Sequence, residues 1–143
     1  METLQRLTRR QLDALRIVGQ RETPDRGVTL KSIASTLRVS PPSALGHLGP
    51  LESLGLVSRY RGKSRVTPKG HQALREYERH HRVAESLFSR LGLGPELSCT
   101  AAREVDLALS HATVERVCAA EGHPTVCPHG EPISPCPSSK KDR

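Results

Sequence analysis

The stretch VTPKGHQALREYERHHRVAE, Val66 to Glu85, decides how the rest of the chain is read. Its first residues end a strand and start a helix. Thr67 is a good N-cap, because its hydroxyl accepts from a first-turn N–H, and Pro68 suits the first helical position, where no N–H is needed. Beyond it Leu74, Tyr77, His81, Ala84, Phe88 and Leu91 recur at steps of three and four, the spacing of one helical face packed on a partner. His81 is thereby predicted to point inward, with Glu85 one turn further along the same side. An imidazole stacked on a carboxylate suits a metal ion, a salt link or a buried hydrogen bond, and the spacing leaves all three open.

Upstream of this helix, LVSRY (56–60) and SRVT (64–67) flank RGK, a hairpin whose strands and tip carry Arg59, Arg61, Lys63 and Arg65. Three short helices precede it. Thr8 and Gln11 make a capping box ahead of Leu12, Leu15 and Val18, and Thr29 caps a helix with Leu30, Ile33, Ala34 and Leu37 inside. Ser40 and two prolines then open a third helix that ends at Gly55. The turn through Arg38 and Val39 is too short for anything but a helix-turn-helix, and a basic hairpin after the third helix is a wing.

Charge follows the same division. Up to Gly70 there are thirteen Lys and Arg against five Asp and Glu, and from His71 onward nine against ten. A basic first half joined to a near-neutral second half predicts a nucleic-acid-binding module followed by an assembly or sensing module. Aromatic residues make up 2% of the chain, so Leu, Val and Ala must form the core. The N-terminus is charged every few residues, which predicts neither a signal peptide nor a membrane span and favours a cytoplasmic protein. Cys99, Cys118, Cys127 and Cys136 would be reduced there, favouring thiol or metal roles over disulfides.

Downstream, a helix is predicted from Pro95 to about Leu109 and another after Ser110 with Val114, Val117 and Cys118 inside. The simplest partner for these stripes is a second copy of the chain, since a two-fold dimer also sets two reading helices on neighbouring major-groove segments. From His123 onward the chain is rich in proline and polar residues without periodicity and reads as an extended tail. The expected organisation is a winged helix-turn-helix domain over 1–70, a helical dimerisation and metal-binding domain over 71–122 and the tail over 123–143. The fold class is mainly α.

Five strings in order resemble the diphtheria-toxin-repressor family of metal-dependent transcriptional regulators: VSPPS at the third helix, LESLGLV at its end, VTPKG after the wing, HRVAE in the long helix and GHPTVCPHGEPI near the C-terminus. The resemblance implies a dimeric repressor that binds double-stranded operator DNA when loaded with manganese or ferrous iron. It is manganese-transport-regulator-like in lacking room for the barrel that many members add. It also implies that His81 and Glu85 fall on metal ligands and that Cys99 stands where members carry a histidine. At the family's other site the matching positions are Arg10, Asp13, Arg103, Asp106 and Leu107, of which only Asp13 and Asp106 offer a ligand atom.

Arginine at two such positions would repel a cation, because a guanidinium stays charged and has no lone pair to give. Cysteine at position 99 shifts preference toward zinc over manganese. In the tail His123, Cys127, His129 and Cys136 are a further candidate set, although their spacing is not that of a zinc finger.

On the third helix Ser43, Gly46, His47 and Pro50 are expected on the exposed stripe, with Ala44, Leu48 and Leu51 inside and a kink near Gly49. No Arg, Lys, Asn or Gln lies between Ser40 and Gly55, so base contacts fall to Ser40, Ser43 and His47, and affinity to Lys31, Arg38, Arg59, Arg61, Lys63 and Arg65 on phosphate. Two other readings share this scaffold: a metal-independent or thiol- or zinc-responsive regulator, and a protein-interaction dimer that no longer reads an operator. No nucleophile with a base, phosphate loop or catalytic carboxylate pair is recognisable, so an enzyme is not expected.

Overall fold

The computed structural model describes residues 2–136, so the last residues of the expected tail, 137–143, lie outside it. The chain is mainly helical with one small sheet. After a 3-10 turn at Leu4–Arg6 come α1 (Arg9–Arg21), β1 (Val28–Thr29), α2 (Leu30–Leu37), α3 (Pro41–Ser53), β2 (Val57–Tyr60), β3 (Lys63–Val66), α4 (Pro68–Arg90), α5 (Pro95–Val105) and α6 (His111–Ala120). Two compact units divide it, one over Leu7–Arg75 and the other over residues 2–6 with 76–136, so the break falls inside α4.

The Leu7–Arg75 unit is a winged helix-turn-helix built on the expected caps. Thr8 and Gln11 form the full capping box of α1, and Thr29 and Ser40 accept the N–H groups of Ser32 and Ser43 to start α2 and α3. Arg38 closes α2 in the left-handed conformation at φ 57°. Helix α3 stays helical through Pro50 and ends in a Schellman turn, with Leu56 N–H on the Leu51 carbonyl, Gly55 N–H on the Glu52 carbonyl and Gly55 at φ 72°. Leu12, Leu15, Val18, Ile33, Leu48, Leu51, Leu56 and Val57 are its largest fully buried residues, each contributing about 1.5–3 kcal/mol of hydrophobic stabilisation. Of the expected helical stripes in this unit, Leu30 and Leu74 are half-buried.

The wing is a three-stranded antiparallel sheet in the order β1-β3-β2, with Arg59 opposite Ser64 and Val28 opposite Ser64 on the other edge. The hairpin was legible in the sequence and β1 was not, because two residues carry no alternation. At the start of α4, Thr67 accepts from Gly70 N–H. A Cβ on Gly70 would stand 2.1 Å from the Leu56 carbonyl oxygen, so the first turn of α4 can sit there only with glycine.

The second unit differs from the sequence expectation in two places. Tyr77 and Ala84 of the predicted α4 stripe are buried, but Leu91 is 68% exposed, while His80, Val83, Glu85 and Ser86 are buried as well. Around Val83 the reason is the segment after α6, which is no extended tail. Cys127, Ile133 and Cys136 pack with Val83, Val114 and Cys118 in one buried cluster.

That segment is irregular but hydrogen-bonded. Cys127 N–H binds the Glu131 carbonyl, Gly130 N–H the Cys127 carbonyl and Ile133 N–H the Thr125 carbonyl, each at 2.9 Å. Two cysteines and an isoleucine supply its apolar contacts, a composition that hydropathy reads as tail. No helix among the described residues is long and apolar enough to cross a membrane.

Candidate metal centre and nucleic-acid interface

Helix α4 places His81 and Glu85 one turn apart, and α5 brings Cys99 to them, so that one donor atom from each lies within 4.8 Å of the others. His81 Nε2 is 3.5 Å from Cys99 Sγ and 4.0 Å from Glu85 Oε2. The other ring nitrogen, Nδ1, is 3.0 Å from Oδ2 of Asp106, the fully buried C-cap of α5. A carboxylate accepting from Nδ1–H fixes the tautomer that leaves the Nε2 lone pair free for a cation. Asp106, expected among the ligands, thus stands behind the histidine ring.

Glu85 is 2% exposed and works on two sides. Its Oε1 is hydrogen-bonded to Nδ1 of His129, and Glu85, Cys127 and His129 form a second donor group. A carboxylate buried to this degree costs several kcal/mol unless it is paired, and here His129 Nδ1 pairs with its Oε1. The thiol of Cys99 is pushed up, first by burial and then by the Glu85 charge, against the opposing pull of Arg103. The two groups share Glu85 and between them offer one carboxylate, two thiols and two imidazoles, donor types that suit zinc better than manganese.

The four tail residues expected as one set are divided. Cys127 and His129 join Glu85, whereas His123 and Cys136 join Cys118, again within 4.8 Å. Cys118, on the inner stripe of α6, was expected in a thiol or metal role but not in this set. The link from Cys127 and His129 to Glu85 spans more than forty residues and has no local signature. Asp13 belongs to the other unit and lies on a cleft of about 370 Å³ shared with Arg10, Arg16 and Arg38. Arg10 there donates to the Leu37 carbonyl at 3.4 Å. Three guanidinium side chains around one carboxylate make a poor cation site.

The sequence reading also passed over His80. It is fully buried, with Nε2 2.9 Å from Nδ1 of His111, and His111 Nε2 is 3.4 Å from Glu76. Burial, and then the His111 charge, push its pKa down to about 4. The adjacent pair at 80 and 81 points to two different sides of α4, which a single stripe cannot represent.

In the winged-helix unit, Ser43, Gly46 and Pro50 are exposed and His47 is half-exposed on α3, with Ala44, Leu48 and Leu51 buried beneath. Ser40 and Ser43 bond each other through their hydroxyls at 3.0 Å. Lys31, Arg38, Arg61 and Lys63 are exposed, and Arg61 lies 5.2 Å from the ring centre of Tyr60. Two expected phosphate contacts are otherwise engaged. Arg65 donates to the carbonyls of Thr23 and Pro24 at 3.0 and 2.9 Å, and Arg59 is 3.5 Å from Glu52.

The winged helix is thus followed by a helical unit that carries a histidine–carboxylate–thiol donor group. Residues 67–135 match the family described as iron dependent repressor, metal binding and dimerisation domain. Among solved structures it is similar to the hypothetical protein SSo2273 from Sulfolobus solfataricus, at 25% identity and TM-score 0.84, over 90% of this chain and 99% of that one.

It is also similar to IdeR of T. acidophilum, at 30% identity and TM-score 0.63, over 89% of this chain and 59% of that one. A manganese-dependent transcriptional repressor, solved in complex with manganese, is 29% identical with TM-score 0.68, over 87% of this chain and 57% of that one. The chain thus spans less than three-fifths of the length of either repressor. No curated protein matches it in sequence.

Proposed function

We propose that the chain is a cytoplasmic, homodimeric transcriptional repressor whose binding to double-stranded operator DNA is strengthened by a transition metal held at His81, Glu85 and Cys99, with Cys127 and His129 completing the site. One observation carries this reading. His81 Nε2 faces Cys99 and Glu85 while Asp106 holds Nδ1 at 3.0 Å, the arrangement of a metal-ligating histidine with its orienting carboxylate. The metal would supply a point of charge that draws α4, α5 and the C-terminal segment together. Two thiols favour zinc, while the relatives' manganese and iron remain the cations to compare with it.

The dimer is supported by Leu91 and Leu97, 68% and 58% exposed around the α4–α5 turn, large apolar side chains that a second copy would cover. DNA binding is supported by the exposed cations of α2, of the turn before α3 and of the wing. Because α3 offers few base-reading donors, affinity rests on phosphate and falls steeply with salt. The test is to strip the protein with chelator and titrate manganese, ferrous iron and zinc against a labelled fragment of its own upstream region, in wild type and His81→Ala. The expected result is at least a tenfold gain in affinity with one metal, lost in the variant. No shift with any metal, together with a silent variant, overturns metal control.

A further inference from the structure

We propose that Cys118, His123 and Cys136 form a second, structural zinc site that pins the C-terminal segment to the end of α6, separate from the donors around Glu85. Cys118 and Cys136 are each 2% exposed, and the three donor atoms lie within 4.8 Å of one another. Zinc bonds of about 2.3 Å to sulfur and 2.0–2.1 Å to nitrogen give a tetrahedron with a sulfur–nitrogen edge of about 3.6 Å. Cys118 Sγ and His123 Nδ1 are 3.6 Å apart.

The backbone sets this distance. Helix α6 ends in a Schellman turn in which His123 N–H binds the Cys118 carbonyl at 2.8 Å and Gly122 N–H the Ala119 carbonyl at 3.0 Å. Gly122 is at φ 75° and His123 itself at φ 56°, a left-handed conformation in which a non-glycine residue costs about 1–2 kcal/mol. A histidine held there returns its ring to the helix it has just left. The turn through residues 126–132 then doubles the chain back and delivers Cys136.

Charged groups flank the three donors. Glu121, 4% exposed, is close enough to act on Cys118 and is itself flanked by the Ser86 hydroxyl and by Arg90, whose Nε is 4.0 Å from its Oε1. Arg79 also bears on Cys118, and its Nη2 is buried without a partner. With zinc bound, the two thiolates and the Glu121 carboxylate would face the zinc ion and the Arg79 and Arg90 guanidinium groups. Three protein donors leave a fourth position for water or for Glu121. Closing the loop from Cys118 to Cys136 in this way gives a segment without helix or sheet a fixed place.

The test uses the full chain purified without chelator. His81→Ala/Cys99→Ala, which removes donors of the proposed regulatory site, is expected to keep one tightly held zinc whose X-ray absorption shows two sulfurs and at least one nitrogen. Cys136→Ser and, separately, His123→Gln are each expected to lose that zinc and to make the amides of Cys127, Gly130 and Ile133, hydrogen-bonded within the segment, exchange with deuterium at least tenfold faster. Reading His123→Gln beside Cys136→Ser guards against a thiol replacement that merely unfolds. Zinc absent from the double variant, zinc without sulfur, or a Cys118–Cys136 disulfide in the purified chain overturns the proposal. None of these outcomes depends on DNA binding, so the regulatory reading stands or falls separately.

Discussion

The two units handle polar side chains in opposite ways. In Leu7–Arg75 the described core is apolar apart from Ser64, and its Thr and Ser side chains work at helix caps on the surface. In the other unit His80, Glu85, Ser86, Ser98, Asp106 and Glu121 are all buried. Burying ionisable groups in so small a core costs stability, and a unit that does so repeatedly is arranged around chemistry rather than around packing. The winged helix is a platform, and the second unit carries the site.

The first way to sharpen this contrast is to remove the group on which both donor sets converge. Glu85→Ala should lower zinc affinity at this centre by more than about a hundredfold, since it deletes a ligand and leaves His81 and His129 without their shared partner. Competition titration against a chromophoric chelator reads the change, and a loss below fivefold would make Glu85 an ordinary buried acid.

Next in size is Asp106→Asn, which keeps the shape but weakens the hold on His81 Nδ1. Its expected cost is about 10–100-fold in metal affinity with little change in melting temperature. A large fall in melting temperature at unchanged affinity would return Asp106 to a packing role.

On the platform, Arg61→Ala with Lys63→Ala should weaken binding to all DNA sequences and reduce the slope of log affinity against log salt by about two. An unchanged slope would remove the wing from the interface. The smallest effect belongs to the exposed Arg59–Glu52 pair, where Glu52→Ala should move stability by less than about 1 kcal/mol in denaturant unfolding. A larger loss there would mean that the platform, too, depends on its charges.

The same contrast explains what could be read from the chain. Thr8, Thr29, Ser40, Thr67 and Ser110 mark helix starts because capping is decided within four residues, and the helix-turn-helix with its wing followed from them. The family strings brought His81, Glu85 and Cys99 together, and they do share one cluster. What stayed hidden depends on distant returns of the chain. Neither the pairing of His129 with Glu85, nor the transfer of Cys136 to Cys118, nor the burial of residues 123–136 has a periodic signature. Asp106 was legible as a carboxylate near the site but not as the residue behind the ring, since that depends on where α5 ends.

The central claim is that α5 and the C-terminal segment supply donors to one metal centre through Glu85. A double-mutant cycle on Cys99→Ala and Cys127→Ala tests it most directly, with zinc affinity measured in a Cys118→Ser background so that only the Glu85 donors are read. The account predicts coupling, with the two losses departing from additivity by at least about 0.5 kcal/mol. Strictly additive losses would contradict it, leaving Cys99 and Cys127 in unrelated places.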